Sequence, residues 1–148
     1  MKSAFFYDSP IGIIGITQEN GAISQVFFGD ENPPPGFAIA ETPLIEETAR
    51  QLNEFFAGSR QDFDLPLKLS GTDFQKSVWK ALQTIPYGET RSYQEIALLV
   101  GSPKACRAVG LANNRNPISI IIPCHRVIGK DGSLTGYGGG LEAKEFLL

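Results

Sequence analysis

The chain has 148 residues, 42% of them hydrophobic and 20% charged, which is the composition of a globular protein rather than a disordered or fibrous one. No apolar run is long enough to cross a bilayer, and the start, MKSAFFYDSPIG, reaches Asp8 and Pro10 too soon for a secretory signal, so we expect a cytoplasmic protein. Residues 1–70 carry ten acidic and four basic side chains and residues 71–148 carry six acidic and nine basic ones, a distribution that fits either random scatter or a phosphate partner for the second half.

Residues 1–70 are predicted to form a lobe of short strands and one helix. Three β-rich runs, AFFYDSP, GIIGITQ and AISQVFFG, are separated by turn signals, and Asn20-Gly21 suits the positive φ angles of a type I′ hairpin turn. The three prolines of DENPPPGF indicate a surface connection. A helix is predicted from Pro43 to Phe56, ended by Gly58. One face of this helix carries Leu44, Thr48, Leu52 and Phe55.

The second half begins after a strand-like linker, QDFDLPLKLSG, and its pattern is helical. Thr72 is predicted to cap a helix over TDFQKSVWKALQTI, which the sequence PYGE ends. The apolar stripe of that helix consists of Phe74, Val78, Leu82 and Ile85.

Two further helices are predicted to follow in close succession. Ser92 and Glu95 fit a capping box at the start of the first, which Gly101 ends. Ser102 as N-cap and Pro103 at the first helical position are predicted to begin the second, which contains KACRAVGLANN. Two helices joined by a tight glycine-containing turn form a helix-turn-helix candidate, although helical hairpins that bind no DNA are also common.

Cys124 and the only histidine of the chain, His125, stand side by side. The run PISIIIP is predicted to form a buried strand or extended segment, so Cys124 is expected where a buried segment reaches a cleft. A thiol reacts as the thiolate, and a neighbouring base or cation such as His125 or Arg126 lowers its pKa. Adjacent side chains do not generally face each other, which favours a relay through one water. For the Cys-His dipeptide alone, an inert buried cysteine is the alternative.

The two cysteines, Cys106 and Cys124, are too few for a disulfide framework. With one histidine they cannot supply a four-ligand zinc site unless carboxylates join. These three residues alone therefore predict no zinc site, and in a reducing compartment both cysteines would be free thiols.

The motif IPCHRVIG, with RSYQEIALLVGSPKACRAVGLANNRNP before it and GYGGGLEAKEFLL after it, resembles the O6-alkylguanine-DNA alkyltransferase family from about Phe74 to Leu148. The resemblance implies an α/β N-terminal lobe over residues 1–70, ribonuclease-H-like with a small antiparallel sheet plus a helix. A mainly α, winged-helix-like C-terminal domain with a helix-turn-helix would follow over residues 71–148. The implied function is DNA repair by a monomer that needs no cofactor and no membrane. It would transfer the alkyl group of O6-alkylguanine in double-stranded DNA, with O4-alkylthymine as a further candidate substrate, irreversibly to its own cysteine.

The resemblance implies catalytic roles for four residues. Cys124 would accept the alkyl group, His125 would take the thiol proton through a water, and Asn116 would brace the active-site loop through backbone hydrogen bonds. Tyr137 would protonate or hydrogen-bond the departing guanine.

The resemblance also implies a set of DNA contacts. Tyr93 would press on the phosphate beside the target and help to rotate the nucleotide out of the duplex, and Arg107 would fill the vacated stack. Each has a structural alternative, Tyr93 as a half-buried helix residue and Arg107 as a solvated one. The other implied DNA-contacting residues are Ser92, Ala105, Arg115 and Arg126.

The resemblance also implies contacts between the substrate base and two positions of the chain. The backbone of Val127, with that of Cys124, would read the base edge, and Gly138 would contribute only its backbone N–H where some relatives have serine.

The glutamate that completes the family's catalytic relay would fall beyond Leu148, and neither Glu142 nor Glu145 matches it. KEFLL reads as a helix interrupted in mid-turn, so we expect the natural chain to continue.

Three other functions remain as alternatives. A non-catalytic protein that binds alkylated DNA on the same scaffold ranks second, because its relatives lack the acceptor cysteine that Cys124 supplies. A helix-turn-helix regulator would leave PCHR without a purpose. A cysteine hydrolase ranks last, because adjacent cysteine and histidine side chains do not form the direct dyad such enzymes use.

Overall fold

The computed structural model describes residues 2–29, 33–128 and 147, and the chain divides into two units, Met1–Leu69 and Ser70–Leu148. The first unit contains strands β1 (Lys2–Ser9), β2 (Gly12–Glu19), β3 (Ala22–Phe28) and β4 (Ala38–Ile39) and helix α1 (Pro43–Phe56). The second contains helices α2 (Asp73–Leu82), α3 (Tyr93–Leu99) and α4 (Cys106–Asn114) and strands β5 (Arg91–Ser92) and β6 (Val127–Ile128). Among the residues described, no helix is both long and apolar enough to span a membrane.

The sheet of the first unit has the strand order β3-β2-β1-β4, and β1, β2 and β3 form an antiparallel meander. Asn20 and Gly21, with φ angles of +49° and +79°, make the turn between β2 and β3. This part of the sheet confirms the predicted antiparallel hairpins. The fully or almost fully buried side chains of these strands include Ala4, Ile14, Ile16, Ile23 and Val26.

The fourth strand, β4, is absent from the sequence prediction. Ser3 pairs with Ala38 and Ala4 with Ile39, and both pairs are parallel, so the sheet is mixed rather than purely antiparallel. The backbone N–H of Ala40 donates to the carbonyl of Ala4 at 3.0 Å and extends the pairing. Two exposed residues after a proline run are too few to show an alternating pattern, and only the neighbouring strand reveals that they pair.

Helix α1 begins and ends where the sequence predicts. The hydroxyl of Thr42 accepts a hydrogen bond from the backbone N–H of Ile45, Pro43 occupies the first turn, and Gly58 beyond the helix has a φ of +79°. The buried face is shifted from the prediction by one residue at its start, since Ile45 is fully buried while Leu44 is only half-buried. This face packs against β1 and β2.

Trp79 holds helix α2 in place within the second unit. Thr72 and Gln75 form a reciprocal capping box at its N-terminus. Trp79 is 2% exposed, and its indole N–H donates to the carbonyl of Ala112 in α4 at 2.8 Å. A buried indole needs such an acceptor, so this bond fixes α2 against α4.

Helices α3 and α4 form the predicted helical hairpin, but α4 begins later than predicted. Ser92 and Glu95 make the expected capping box at α3. The predicted start of the next helix at Ser102 and Pro103 is wrong, because α4 begins at Cys106. Residues 102–105 form a separate turn, in which the N–H of Ala105 donates to the carbonyl of Ser102 at 2.9 Å.

Candidate active site

The candidate nucleophile, Cys124, begins a short 3-10 turn that also contains His125 and Arg126. Pro123, with φ −79° and ψ +61°, is the centre of an inverse γ-turn in which the N–H of Cys124 donates to the carbonyl of Ile122 at 2.7 Å. Proline fixes φ near this value, so the sequence favours the bend that ends the apolar run at the cysteine.

Cys124 is 3% exposed and His125 is fully buried. A 3-10 helix has three residues per turn, so consecutive side chains diverge by about 120°. This geometry agrees with the expectation that a proton leaves the thiol through an intermediate group. The catalytic roles of both residues stay predictions.

The segment before the nucleophile is a tight turn, which corrects the predicted strand or extended segment. The N–H of Ile122 donates to the carbonyl of Ile118 at 3.0 Å, and that of Ile121 donates to Ser119 at 2.8 Å. Ile120, which is almost completely buried, has a φ of +72°. A β-branched residue in the left-handed region stores strain on the order of 1–3 kcal/mol, so the surrounding contacts must hold it there.

Asn116 holds both ends of this turn. Its Nδ2 donates to the carbonyl of Ile122 at 2.8 Å, and its Oδ1 accepts from the N–H of Ile118 at 3.0 Å. The carbonyl of Ile122 therefore receives both the Asn116 amide and the backbone N–H of Cys124. Asn116 thus hydrogen-bonds the backbone of the turn before Cys124, and its catalytic role stays a prediction.

Asn113 is a second asparagine beside Cys124 and is not among the residues predicted from the sequence. It is 1% exposed, and its Nδ2 donates to the carbonyl of Cys124 at 3.3 Å. Within the described residues its Oδ1 has no hydrogen-bond partner. A buried asparagine three positions before Asn116, on the same helix face as Val109, is the signal that would have identified it.

Arg126, for which the resemblance implies a contact to DNA, is largely buried in the second unit, and that contact stays a prediction. It is 8% exposed, and its Nη1 donates to the carbonyl of Ile85 at 2.8 Å. Its guanidinium carbon lies 5.7 Å from the centroid of the Tyr87 ring. Through these two contacts the guanidinium links the turn that contains Cys124 to the segment that follows α2.

The strand pair β5-β6 joins the nucleophile to the helix-turn-helix. Arg91 pairs with Val127 and Ser92 with Ile128, both in parallel. The hydroxyl of Ser92 caps α3 by accepting from the N–H of Glu95 at 3.1 Å. The proposed contacts of Ser92 to DNA and of the Val127 backbone to the base stay predictions.

One face of α4 is exposed and carries two of the predicted DNA-binding residues, Arg107 and Arg115. The residues of this outer face are Arg107, Ala108, Leu111, Asn114 and Arg115. Ala105 is the N-cap of the helix, and Tyr93 begins α3 and is half-buried. Tyr137 and Gly138 lie outside the described residues, as do Glu142 and Glu145.

Both units match family models. Residues 4–69 match the ribonuclease-like domain of 6-O-methylguanine DNA methyltransferase, and residues 73–148 match its DNA-binding domain. These two matches define a two-domain protein of the 6-O-methylguanine DNA methyltransferase class. The chain belongs to the 6-O-methylguanine DNA methyltransferase family, which confirms the resemblance.

Curated relatives match over nearly the whole chain. The methylated-DNA–protein-cysteine methyltransferase of Methanosarcina barkeri is 56% identical over 149 residues, covering 97% of this chain and 94% of that protein. The constitutive enzyme of the same name from Bacillus subtilis is 49% identical, covering 95% of this chain and 90% of that protein.

Solved structures also match over nearly the whole chain. Mycobacterium tuberculosis OGT in complex with DNA has a TM-score of 0.91 and 49% identity, covering 99% of this chain and 90% of that one. An O6-methylguanine DNA methyltransferase from Methanococcus jannaschii has a TM-score of 0.68 and 29% identity, covering 97% of this chain and 90% of that one.

Proposed function

We propose that this protein repairs DNA by transferring the alkyl group of O6-alkylguanine in double-stranded DNA to the sulfur of Cys124. The observation that carries the proposal is the position of Cys124, on a buried turn paired through β5-β6 with the start of a helix-turn-helix. Relatives about 50% identical over most of the chain carry the name methylated-DNA–protein-cysteine methyltransferase, which supports the transferase over a non-catalytic lesion binder.

The transfer is a single displacement at carbon. The Cys124 sulfur forms a bond to the alkyl carbon, the bond from that carbon to guanine O6 breaks, and the electron pair leaves with the guanine. The thiol proton passes through a water to His125, and a proton returned to the base yields neutral guanine. The product is a thioether, which no group in the sequence is equipped to cleave, so each molecule reacts once.

The burial of Cys124 requires the target nucleotide to leave the duplex. An alkyl carbon inside stacked DNA cannot reach a thiol that is 3% exposed, and extrusion costs about a few kcal/mol. Arg107, on the outer face of α4, supplies a planar guanidinium that stacks in the vacated space, and Tyr93 acts on the flanking phosphate. Ser92, Ala105 and Arg115 make the supporting backbone contacts.

The setting we propose for this reaction is the cytoplasm, with the protein acting as a monomer. A size-exclusion and light-scattering measurement at working concentration tests the oligomeric state, and fractionation of cells tests the location.

Intact mass spectrometry after incubation with a duplex containing O6-methylguanine tests the reaction. We expect the mass of one methyl group on Cys124, at no more than one equivalent, and none in Cys124→Ser. Cys106→Ser is the matched control and should still take up one methyl group on Cys124. Binding without a mass change would instead support the lesion binder, and turnover beyond one equivalent would contradict the thioether product.

The role of Arg107 is tested by comparing two substrates. Arg107→Ala should slow reaction with the duplex far more than reaction with a free O6-alkylguanine base, because only the duplex requires extrusion. Equal slowing of both would remove the proposed role. Binding of the duplex should also weaken as salt rises, since contacts to phosphates release counterions.

A further inference from the structure

Gln94 in the first turn of α3 reaches across the helix-turn-helix to two different elements. Its Nε2 donates to the carbonyl of Pro103 in the connecting turn at 2.9 Å. Its Oε1 accepts from the thiol of Cys106, the first residue of α4, at 3.0 Å. One side chain thus uses both its donor and its acceptor to hold the turn and the next helix.

The start of α4 has no side-chain cap of its own, because its N-cap is Ala105. The first turn of a helix leaves backbone N–H groups without partners, and a polar N-cap usually fixes the geometry there. Because the N-cap is alanine, the hydrogen bond from Cys106 to Gln94 is what fixes the rotation of this end of α4 about its own axis.

A second place where α3 approaches α4 lies one helical turn further along α4, at Gly110. A Cβ added at Gly110 would lie 3.9 Å from the ring of Tyr93, the residue before Gln94. Cys106 and Gly110 are four residues apart and therefore lie on the same side of α4. Tyr93 and Gln94 thus face two successive turns of α4, on the side of that helix that carries Cys106 and Gly110.

The exposed outer face of α4 begins at Arg107, which directly follows Cys106 and therefore lies about 100° from it round the helix axis. A small rotation of the helix about its axis would carry Arg107 and the rest of this face away from the DNA. We infer that Gln94 is a positioning residue for repair: through Pro103 and Cys106 it sets the rotation of α4 and so the aim of Arg107. This inference rests on the proposed function.

The test compares Gln94→Met, which keeps the length of the side chain but lacks its amide, with Gln83→Leu, an exposed glutamine after α2, as the matched control. Single-turnover rates are measured with a duplex containing O6-methylguanine and with a free O6-alkylguanine base. For Gln94→Met we expect the duplex rate to fall about tenfold, the effect of losing about 1.4 kcal/mol of interaction, while the free-base rate stays within about twofold. Equal loss with both substrates would reduce Gln94 to a structural residue and overturn the inference.

A double-mutant cycle separates action through Cys106 from direct contact of Gln94 with DNA. Cys106→Ala should lower the duplex rate in the wild type but add little in the Gln94→Met background, because the bond is already lost. Cys106→Ser keeps a donor and should restore most of the rate. Fully additive effects of Gln94→Met and Cys106→Ala would contradict the inference, and the Cys106 variants alone decide it if Gln94→Met does not fold.

The free-base reaction distinguishes a failure of the proposed function from a failure of the positioning role of Gln94. A wild-type protein that takes no alkyl group from either substrate would contradict the proposed function itself. A wild type that reacts with both, together with a Gln94→Met variant whose ratio of duplex to free-base rates is unchanged, would overturn only the positioning role.

Discussion

Asn113 donates its side-chain amide to the carbonyl oxygen of Cys124, at 3.3 Å, from the buried side of α4. The nucleophile's backbone is therefore held directly by the helix whose opposite face carries Arg107. Asn116 holds the preceding residues of the same turn through Ile122. Two asparagines with different partners thus fix the position of one sulfur atom.

Variants of Asn113 test the role of its Oδ1, which has no hydrogen-bond partner among the described residues. Asn113→Leu loses one hydrogen bond but also removes a buried Oδ1 without a partner in the described part of the chain, so the free energy of unfolding should change by less than about 1 kcal/mol. Asn113→Asp should cost about 3 kcal/mol or more, because it buries a carboxylate beside the Cys124 carbonyl. Urea unfolding at neutral pH measures both. An aspartate variant as stable as the leucine variant would refute this account.

Asn116→Ala should be more costly than a loss of one contact. It leaves the N–H of Ile118 and one acceptor site on Ile122 without their side-chain partner, so we expect a loss of about 2–4 kcal/mol in unfolding free energy. The strained turn at Ile120 should also relax, which slows alkyl transfer from both duplex and free base. Asn114→Ala, on the exposed side of α4, is the control and should leave both quantities near the wild-type values.

Two glycines should respond to alanine in opposite directions. A Cβ at Gly15 would lie 2.4 Å from the Phe27 ring, so Gly15→Ala must displace that ring and should destabilise the protein by about 1–3 kcal/mol. At Gly110 the new methyl group would make ordinary contact with Tyr93, and alanine favours a helix interior by about 0.5–1 kcal/mol. Thermal unfolding of the two variants should therefore shift in opposite directions, and a shared direction would contradict the packing described.

The acid limb of the stability profile should depend on Glu47. Hydrogen bonds from Arg50 and Gln51 lower the pKa of Glu47 from its usual 4.5 to about 2. The stabilisation from the ionised carboxylate is therefore complete above pH 4.5 and is lost as the pH falls towards 2. Glu47→Gln should unfold at a lower temperature than the wild type near neutral pH, and this difference should vanish towards pH 2.

Because Glu47 is exposed, salt should weaken its effect. Thermal unfolding in low and high salt measures this. A difference between Glu47→Gln and the wild type that is independent of both pH and salt would show that the ion pair with Arg50 contributes nothing.

Elements with local signals could be predicted from the sequence, and those fixed by distant contacts could not. Helix α1 and the capping box of Ser92 depend on residues within one helical turn, and both form as predicted. The start of α4 could not be predicted, because Ser102-Pro103 suits a helix N-terminus and a turn equally well. The side chain of Gln94, from the preceding helix, holds the turn.

The same distinction applies to the site. A motif locates Cys124, but the positive φ of Ile120 and the inward direction of Arg126 follow from packing that no local pattern records. The sequence signals only the helix face on which Asn113 lies; its partner, the backbone carbonyl of Cys124, could not be predicted from residue types.

The parallel pairing of β5 with β6 has a consequence for how the molecule is made. Parallel neighbours need a long crossover, and here that crossover contains both α3 and α4. Such pairing is of high contact order and closes late in folding. A polypeptide still emerging from the ribosome therefore cannot pair the segment after Cys124 with the start of α3 until Val127 and Ile128 have been added.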